Sequence, residues 1–326
     1  MLTVARTQEL LDRFRGLRVL VAGDLMLDEF LWGNVSRISP EAPVPVVEVT
    51  GQSFYAGGAA NVARNLAEFS QGVSVMGLCG ADEQGRMLER LLQEAGMDVS
   101  GIVQDPERRT ILKTRVVARH QQVVRIDRET RMTPTAEQCG ALLARLDEML
   151  PDLDAVILSD YAKGFLTQRF VSALCVGAAR LGRIVTVDPS PRNPMLWEGV
   201  TAVKPNLKEA RAAAGLSDDA DSREAGAALL GQWGAGMVLI TMGEQGMELF
   251  RQGAAPYHTP TRAREVFDVS GAGDTAIALF TLGLAAGATP EESAELANHA
   301  SGVAVGKLGT ATVTPQELLE SASRMG

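Results

Sequence analysis

Three observations predict an α/β fold for this 326-residue chain, with a parallel β-sheet covered by helices. Short apolar, β-branched runs alternate with stretches of helical periodicity along most of the sequence. Most of these runs end in a polar residue or a glycine, as strands do where they deliver groups to the edge of a parallel sheet. The composition is that of an ordinary globular chain, 46% hydrophobic and 22% charged, long enough to bury a substantial core.

Taken in chain order, the first buried strand is expected over Leu17 to Gly23 and the next over Val73 to Cys79. Further strands follow at Asp154 to Ser159, Ile184 to Val187, Thr201 to Val203 and Val238 to Thr241. Ligands in open α/β sheets bind at the carboxyl ends of strands. Asp24, Asp160, Asp188, Lys204 with Asn206, and Thr241 with Gly243 are therefore expected to face one crevice. Two regions break the rhythm. Between Glu29 and Thr50 there is no helical period, and Pro40, Pro43 and Pro45 exclude a buried central strand. Thr110 to Asp127 is strand-like yet studded with Arg and Lys. Both are read as strands of one small, half-exposed sheet standing off the core, formed by roughly 29–50 and 110–127, and serving as a lid, a dimer surface, or both. There is no internal repeat, and the only linker-like run is the short acidic stretch Gly215 to Ser222, so residues 1–326 are read as a single domain.

Charge and composition exclude several classes. The net charge is −9 with no basic block to offset it, which makes duplex nucleic acid and an anionic membrane surface poor partners. Cys79, Cys139 and Cys175 are widely spaced with no C-x-x-C pattern, so neither a disulfide framework nor a zinc site is signalled and a reducing cytoplasm is expected. His120, His258 and His299 are scattered without metal-ligand spacing. Glu9 and Asp12 interrupt the first apolar periodicity, and the longest apolar stretch, Ala276 to Ala288, is too short to span a bilayer.

The sharpest motif is Asp268-Val269-Ser270-Gly271-Ala272-Gly273-Asp274-Thr275, followed by an apolar helical run. Glycines permit a tight turn whose backbone N–H groups converge, and the start of the helix adds partial positive charge, which together make an anion hole. Asp274 there is either a helix cap or a general base where a phosphoryl group meets its acceptor hydroxyl. The second motif, Ala56-Gly57-Gly58-Ala59-Ala60-Asn61-Val62-Ala63, opens a helix running to Ala67 or beyond. Its glycines let either a ligand or a packing neighbour approach the backbone, and Asn61 can donate to and accept from a sugar hydroxyl. Trp32 and Tyr55 either shield this region from water or pack into the core.

An early Gly57-Gly58-x-x-Asn61, a later Asn206-x-x-Glu209 and a late Gly271-Ala272-Gly273-Asp274, in that order and spread over nearly the whole chain, resemble the ribokinase-like (phosphofructokinase B) family of carbohydrate kinases. The resemblance implies a Rossmann-like sheet flanked by helices with a small discontinuous β-sheet lid, and ATP with magnesium as the phosphoryl source. Asp274 matches the family's catalytic base, and Gly271, Ala272 and Gly273 match its anion hole. Asn206 and Glu209 match its motif for magnesium and phosphate. Thr241, Gly243 and Gly246 match a strand-end segment near the nucleotide, and Asn298 falls in a helix flanking adenine. In many relatives a potassium ion lies behind the anion hole. Asp268 and Ser270 match two of its positions, the alternative being that Asp268 braces the turn.

Ser36 to Pro45, Gln121 to Asp127, Ser159-Asp160-Tyr161-Ala162-Lys163-Gly164 and Val305 to Thr310 look like the D-glycero-β-D-manno-heptose 7-phosphate kinases within that family. In that group the kinase stands alone or forms the first half of a bifunctional enzyme with a nucleotidyltransferase, and this chain is expected to correspond to one of these. Two departures stand out: Ser270 where Thr is commoner, and Asp188-Pro189-Ser190 where Asp-Pro-Lys is usual. The second falls where the resemblance implies a possible phosphate contact. A substrate phosphate calls for cations, and Lys163, Arg119 and Arg125 are the candidates at strand ends or on the lid. Asp24 and Asp28 are candidates for sugar hydroxyls, Asp28 alternatively capping the lid. The resemblance implies a cytoplasmic kinase that phosphorylates the anomeric hydroxyl of heptose 7-phosphate on the route to ADP-heptose and the lipopolysaccharide core, working as a homodimer through the lid. The rivals are another sugar or sugar-phosphate kinase of the family, acting on ribose, fructose, a hexose phosphate or a nucleoside, and a non-catalytic nucleotide- or sugar-binding regulator.

Overall fold

A computed structural model describes residues 2–119, 121–263, 266–307 and 309–323; His120 and Leu308 lie outside the described residues. The chain begins with α1 (Val4–Phe14), β1 (Arg18–Gly23), β2 (Leu25–Ile38), β3 (Pro45–Gly58), α2 (Ala59–Ala67), β4 (Gly72–Gly80) and α3 (Glu83–Glu94). It continues with β5 (Asp98–Asp105), β6 (Ile111–Ala118), β7 (Gln121–Arg128), α4 (Ala136–Met149), β8 (Ala155–Ser159), α5 (Gln168–Arg180), β9 (Ile184–Asp188) and β10 (Ala202–Val203). The last third holds α6 (Leu207–Ala214), α7 (Ser222–Trp233), β11 (Met237–Thr241), β12 (Met247–Arg251), β13 (Tyr257–Thr259), α8 (Ala272–Ala285), α9 (Pro290–Ala304) and α10 (Pro315–Ser323).

The large sheet has nine strands in the order β13-β12-β11-β10-β9-β8-β1-β4-β5, parallel from β5 to β11 and antiparallel at β12 and β13. Its central strands read as unbroken apolar runs because both faces are covered. Val19, Val21, Val75 and Ile157 pack on one side with residues of α1, α2, α8 and α9. Leu20, Ala22, Val156 and Leu158 pack on the other with residues of α4, α5 and α7. The six strands expected from apolar runs all form, within a residue or two at each end. β5, β12 and β13 escape that reading because they lie toward the sheet's edges, where charge and glycine are tolerated and the apolar signal is diluted. The apolar run after Asp274 becomes α8, buried from Asp274 through Gly283. It needs no amphipathic stripe because protein surrounds it. Among the described residues no helix is long and apolar enough to cross a membrane.

The second sheet has four strands, β3-β2-β6-β7. It begins earlier and runs later than the prolines and charges suggested. β2 leaves the core at Leu25 directly from β1, and β3 re-enters at Gly58 directly into α2. Gly57 and Gly58 therefore end a lid strand, and Gly58 also caps the helix that follows. β3 is an edge strand and Pro45 is its first residue, which is where a strand tolerates a missing N–H. The order of the large sheet reverses at β1, whose neighbours are β8 on one side and β4 on the other. The lid springs from that switch point, where α/β sheets open a crevice.

Candidate active site

Asp274 lies in the first turn of α8 and is 7% exposed. It does not cap the helix. That position belongs to Gly271, whose φ of 80° is left-handed and where a Cβ would approach the Asn61 amide nitrogen to 3.1 Å. The Asp274 carboxylate instead turns inward, with Oδ2 accepting from Asn61 Nδ2 at 2.7 Å and Oδ1 from the Tyr161 hydroxyl at 2.6 Å. α2 and α8 are stitched together beside it. Asn65 Nδ2 donates to Asn61 O, and Thr275 Oγ1 donates to Asn65 Oδ1. Burial pushes the Asp274 carboxyl up to about 6; the Asn61 bond opposes this, the Asp188 charge adds to it, and Tyr161 and Lys204 oppose it.

The amides expected to form an anion hole are not equivalent. The Ala272 amide donates to Val269 O within the turn, whereas Gly273 and Asp274 fall in the first helical turn, whose amides have no intrahelical acceptor. Facing them, the buried Lys204 ammonium is 3.0 Å from Asp188, and a Cβ on Gly273 would lie 3.5 Å from Lys204 Nζ. A buried cation thus stands beside Asp188 even though Ser190 replaces the usual lysine. Burial raises the Asp188 carboxyl, and Lys204 pulls it back.

The predicted nucleotide residues divide into two groups. Thr241, Gly243, Gly246 and Asn298 line one cavity of about 570 Å³ together with Ala272 and Gly273. Within it Asn298 has a bracing role, because its amide nitrogen donates to Thr259 Oγ1 and Pro260 O. Gly246 is required for packing, since a Cβ there would lie 2.1 Å from Thr259 O. Asn206 and Glu209 lie beside this cavity in chain terms, Asn206 bridging to Thr241, but their side chains form a reciprocal capping box at the start of α6, both bonds 2.9 Å. Burial raises the Glu209 carboxyl, and the nearby Asp188 charge adds to the rise.

Asp268 uses both oxygens on backbone amides, Oδ1 on Ser270 and Oδ2 on Gly309. That is the bracing role. His299 is bonded to Ser321 and His258 to Gln245 O. Among the described residues no three His, Cys, Asp or Glu side chains gather into a metal site of their own.

On the sugar side, the expectation for Asp24 is corrected. It is 2% exposed, and its carboxylate accepts the backbone N–H groups of Tyr161, Lys163 and Phe165, so it anchors the loop after β8 instead of presenting itself to a hydroxyl. Asp28 does face the crevice side of the lid, ion-paired with Arg115, and Gly57 makes room for it, since a Cβ there would lie 2.2 Å from Asp28 Oδ2. Gly58 has a φ of 58° and caps α2. The same lid face carries Phe30 and Trp32, stacked at 5.5 Å, with Tyr55 edge-on to Phe30, and the exposure of Trp32 and Tyr55 shows that they are not core. Lys163 bonds Glu129 at 2.6 Å, Lys113 reaches Asp127 and Glu129 at 3.3 and 3.4 Å, and Arg125 pairs with Asp127. Arg125 stands opposite Arg115 in register and so shares its face. Arg119 does not join them. It sits exposed with a φ of 48° at the β6–β7 turn, about 20 Å along the lid from Lys113 at the usual rise per residue. Tyr161, Lys113, Arg115 and Glu129 were missed as site residues, though Arg115 and Lys113 alternate on one strand face, which is a readable signal.

The sequence profile of the pfkB family carbohydrate kinases matches residues 17–317. The bifunctional protein HldE of Citrifermentans bemidjiense is 47% identical over 310 residues, covering 94% of this chain and 64% of that protein. The protein of the same name from Caulobacter vibrioides is 46% identical over 314 residues, covering 95% and 64%. The chain thus spans a little under two thirds of these relatives' length. Among solved structures, Arabidopsis thaliana ribokinase complexed with ribose and ATP superposes with a TM-score of 0.73 at 18% identity, covering 94% of this chain and 99% of that one. Escherichia coli phosphofructokinase-2 in complex with potassium gives 0.73 at 19%, covering 95% and 99%. These superpositions establish a ribokinase-like fold.

The Asp24 anchor can be tested directly. Asp24→Ala strands three buried backbone donors, so stability by urea denaturation should fall by at least about 2 kcal/mol. An unchanged midpoint would contradict the anchoring role.

Proposed function

The chain belongs to the pfkB family of carbohydrate kinases, and on that premise we propose that it transfers the γ-phosphoryl group of ATP to the anomeric hydroxyl of D-glycero-β-D-manno-heptose 7-phosphate, giving the 1,7-bisphosphate. The observation that carries this reading is the buried Asp274 carboxylate at the head of α8, adjoining a nucleotide-sized cavity on one side and joined by Asn61 and Tyr161 to the sugar side on the other. Asp274 takes the proton from the anomeric hydroxyl as that oxygen bonds to the γ-phosphorus and the bond to the bridging oxygen breaks, releasing ADP. The amides of Gly273 and Asp274 and the Lys204 ammonium hold the charge that develops on the transferring group.

Burial raises the carboxyls of Asp188, Glu209 and Asp274, the Asp188 charge adds to the rise in the other two, and Lys204 is the cation that offsets all three. This excess of hard, anionic oxygen donors suits magnesium, which Asn206, Glu209 and Asp188 would hold through water and which supplies charge neutralisation to the nucleotide phosphates. The lid aromatics exclude water from the crevice, which suppresses ATP hydrolysis.

The 7-phosphate reading rests on the motifs shared with the heptose 7-phosphate kinases and on the lid cluster of Lys113, Lys163 and Arg125. Among the described residues these three cations share the two carboxylates Asp127 and Glu129, which leaves positive charge for a dianion. The product's chemistry fits a route to ADP-heptose and the lipopolysaccharide core. The cysteines are buried and unbridged among the described residues, which suits the cytoplasm. The outer part of the lid's other face is apolar and uncovered, with Val49 54%, Val124 47% and Ile126 46% exposed, and we propose that the lid of a second copy covers it.

Coupled ADP release against a panel of free and phosphorylated sugars tests the substrate. Heptose 7-phosphate should turn over fastest, and faster turnover of ribose or fructose would remove this assignment. Asp274→Asn keeps the shape of the base without its basicity, so turnover should fall by about two or more orders of magnitude while calorimetric ATP binding persists. Near-normal turnover would take Asp274 out of the mechanism. Lys163→Ala should damage heptose 7-phosphate turnover far more than that of any unphosphorylated sugar; equal damage would assign Lys163 to the fold. Sedimentation of the wild type should give a dimer and of Val124→Glu with Ile126→Glu a monomer. A monomeric wild type would contradict the lid interface.

A further inference from the structure

The reaction proposed above gives Tyr161 no task, yet its hydroxyl makes one of the two bonds to the base. Three separate elements meet on that one carboxylate: α8 carries Asp274, α2 brings Asn61 to Oδ2, and the loop after β8 brings Tyr161 to Oδ1.

The loop is built to aim this side chain. Asp24 fixes it by accepting the amides of Tyr161, Lys163 and Phe165, and Asp160 Oδ1 accepts the amide of Ala162. Ala162 has a φ of 57°, one of two left-handed non-glycine residues among those described, and Gly164 has a φ of 105° with its α-carbon packed against the Met132 backbone. A left-handed alanine persists only where its surroundings over-determine it, and such positions cluster at working sites. Here the strained residue directly follows Tyr161.

The chemistry of the contact has one direction. Burial and the Asp274 charge push the Tyr161 phenol well above its ordinary range, so it remains a neutral donor at any working pH. A donor aimed at a carboxylate favours the ionised form, which is the form a base needs, whereas burial favours the protonated one. The other charged groups around Asp274 are the Asp188 carboxylate from β9, which works with burial, and the Lys204 ammonium beyond β10, which works against it. On the α2 side Arg64 touches Asn61 Oδ1 at 3.4 Å.

We propose that Tyr161 is a positioning residue for phosphoryl transfer: with the Asn61 amide holding the other carboxylate oxygen, its phenol keeps the Asp274 base competent in a dry site. The inference rests on Asp274 being the base. Tyr161 itself touches the base and not the reacting atoms.

Tyr161→Phe retains the ring and removes only the donor. The wild-type kcat/KM should be lost as pH falls through about 6, because the active form is the ionised carboxylate. In Tyr161→Phe that acid limb should move up by about one pH unit, so the variant falls close to tenfold below wild type at pH 5.5 and stays within about twofold at pH 8.5, with KM for ATP unchanged. A loss equal at all pH values, or an unmoved limb, would overturn the proposal. Replacing the three tyrosines by fluorotyrosine, a stronger donor of nearly the same size, gives an arm that does not depend on the variant's folding, and the limb should then move down. An unmoved limb there would also overturn it. Asp274→Asn separates the two levels: retained activity sinks the base assignment itself, whereas an inactive Asp274→Asn with an unmoved Tyr161→Phe limb sinks only the role of Tyr161.

Discussion

Asp274 is nine-tenths buried at the start of α8, and a carboxylate in that position stays ionised only if protein donors replace the water it has lost. Much of the surrounding structure follows from that constraint. Gly271 has no side chain because Asn61 must come close enough to donate. Asn65 and Thr275 tie α2 to α8 so that Asn61 stays in place. Asp24, from the end of β1, holds the loop that carries Tyr161. The helix dipole and the free amides of its first turn favour negative charge at the same point, so the environment that tolerates Asp274 also suits an anionic ligand.

The second organising feature is the reversal of strand order at β1. The chain leaves the core at Leu25, forms two long antiparallel strands, and returns at Gly58 directly into α2. The lid is therefore continuous at one end with the strand that supplies Asp24 and at the other with the helix that supplies Asn61. Its crevice face carries Asp28, Arg115 and the aromatics, while the opposite face is apolar at the core end and again on its outer part.

The central strands were legible because a strand covered on both faces must be apolar throughout, as Val19 to Ala22 and Ala155 to Leu158 are. The glycine turn before α8 was legible because its chemistry is local. What escaped were contacts between residues far apart in the chain. Asp24 looked like a free carboxylate because its partners are backbone amides 137 to 141 residues away, and amides leave no mark on a sequence. Tyr161 reaches Asp274 across 113 residues, and Arg115 reaches Asp28 across 87. Lys204 meets Asp188 because β9 and β10 are neighbours in the sheet. Asn206 and Glu209 were read as metal residues, yet at the level of local geometry their spacing is that of a capping box.

The central claim is that this site moves a phosphoryl group onto one particular oxygen of a sugar phosphate, with Asp274 as the base. Phosphorus NMR of the protein incubated with magnesium ATP and heptose 7-phosphate reads that transfer directly. The account predicts that ADP appears in step with a new sugar phosphate resonance coupled to the anomeric proton, while the 7-phosphate resonance is retained. Release of inorganic phosphate without that resonance, or a new phosphate coupled to any other sugar proton, would contradict it.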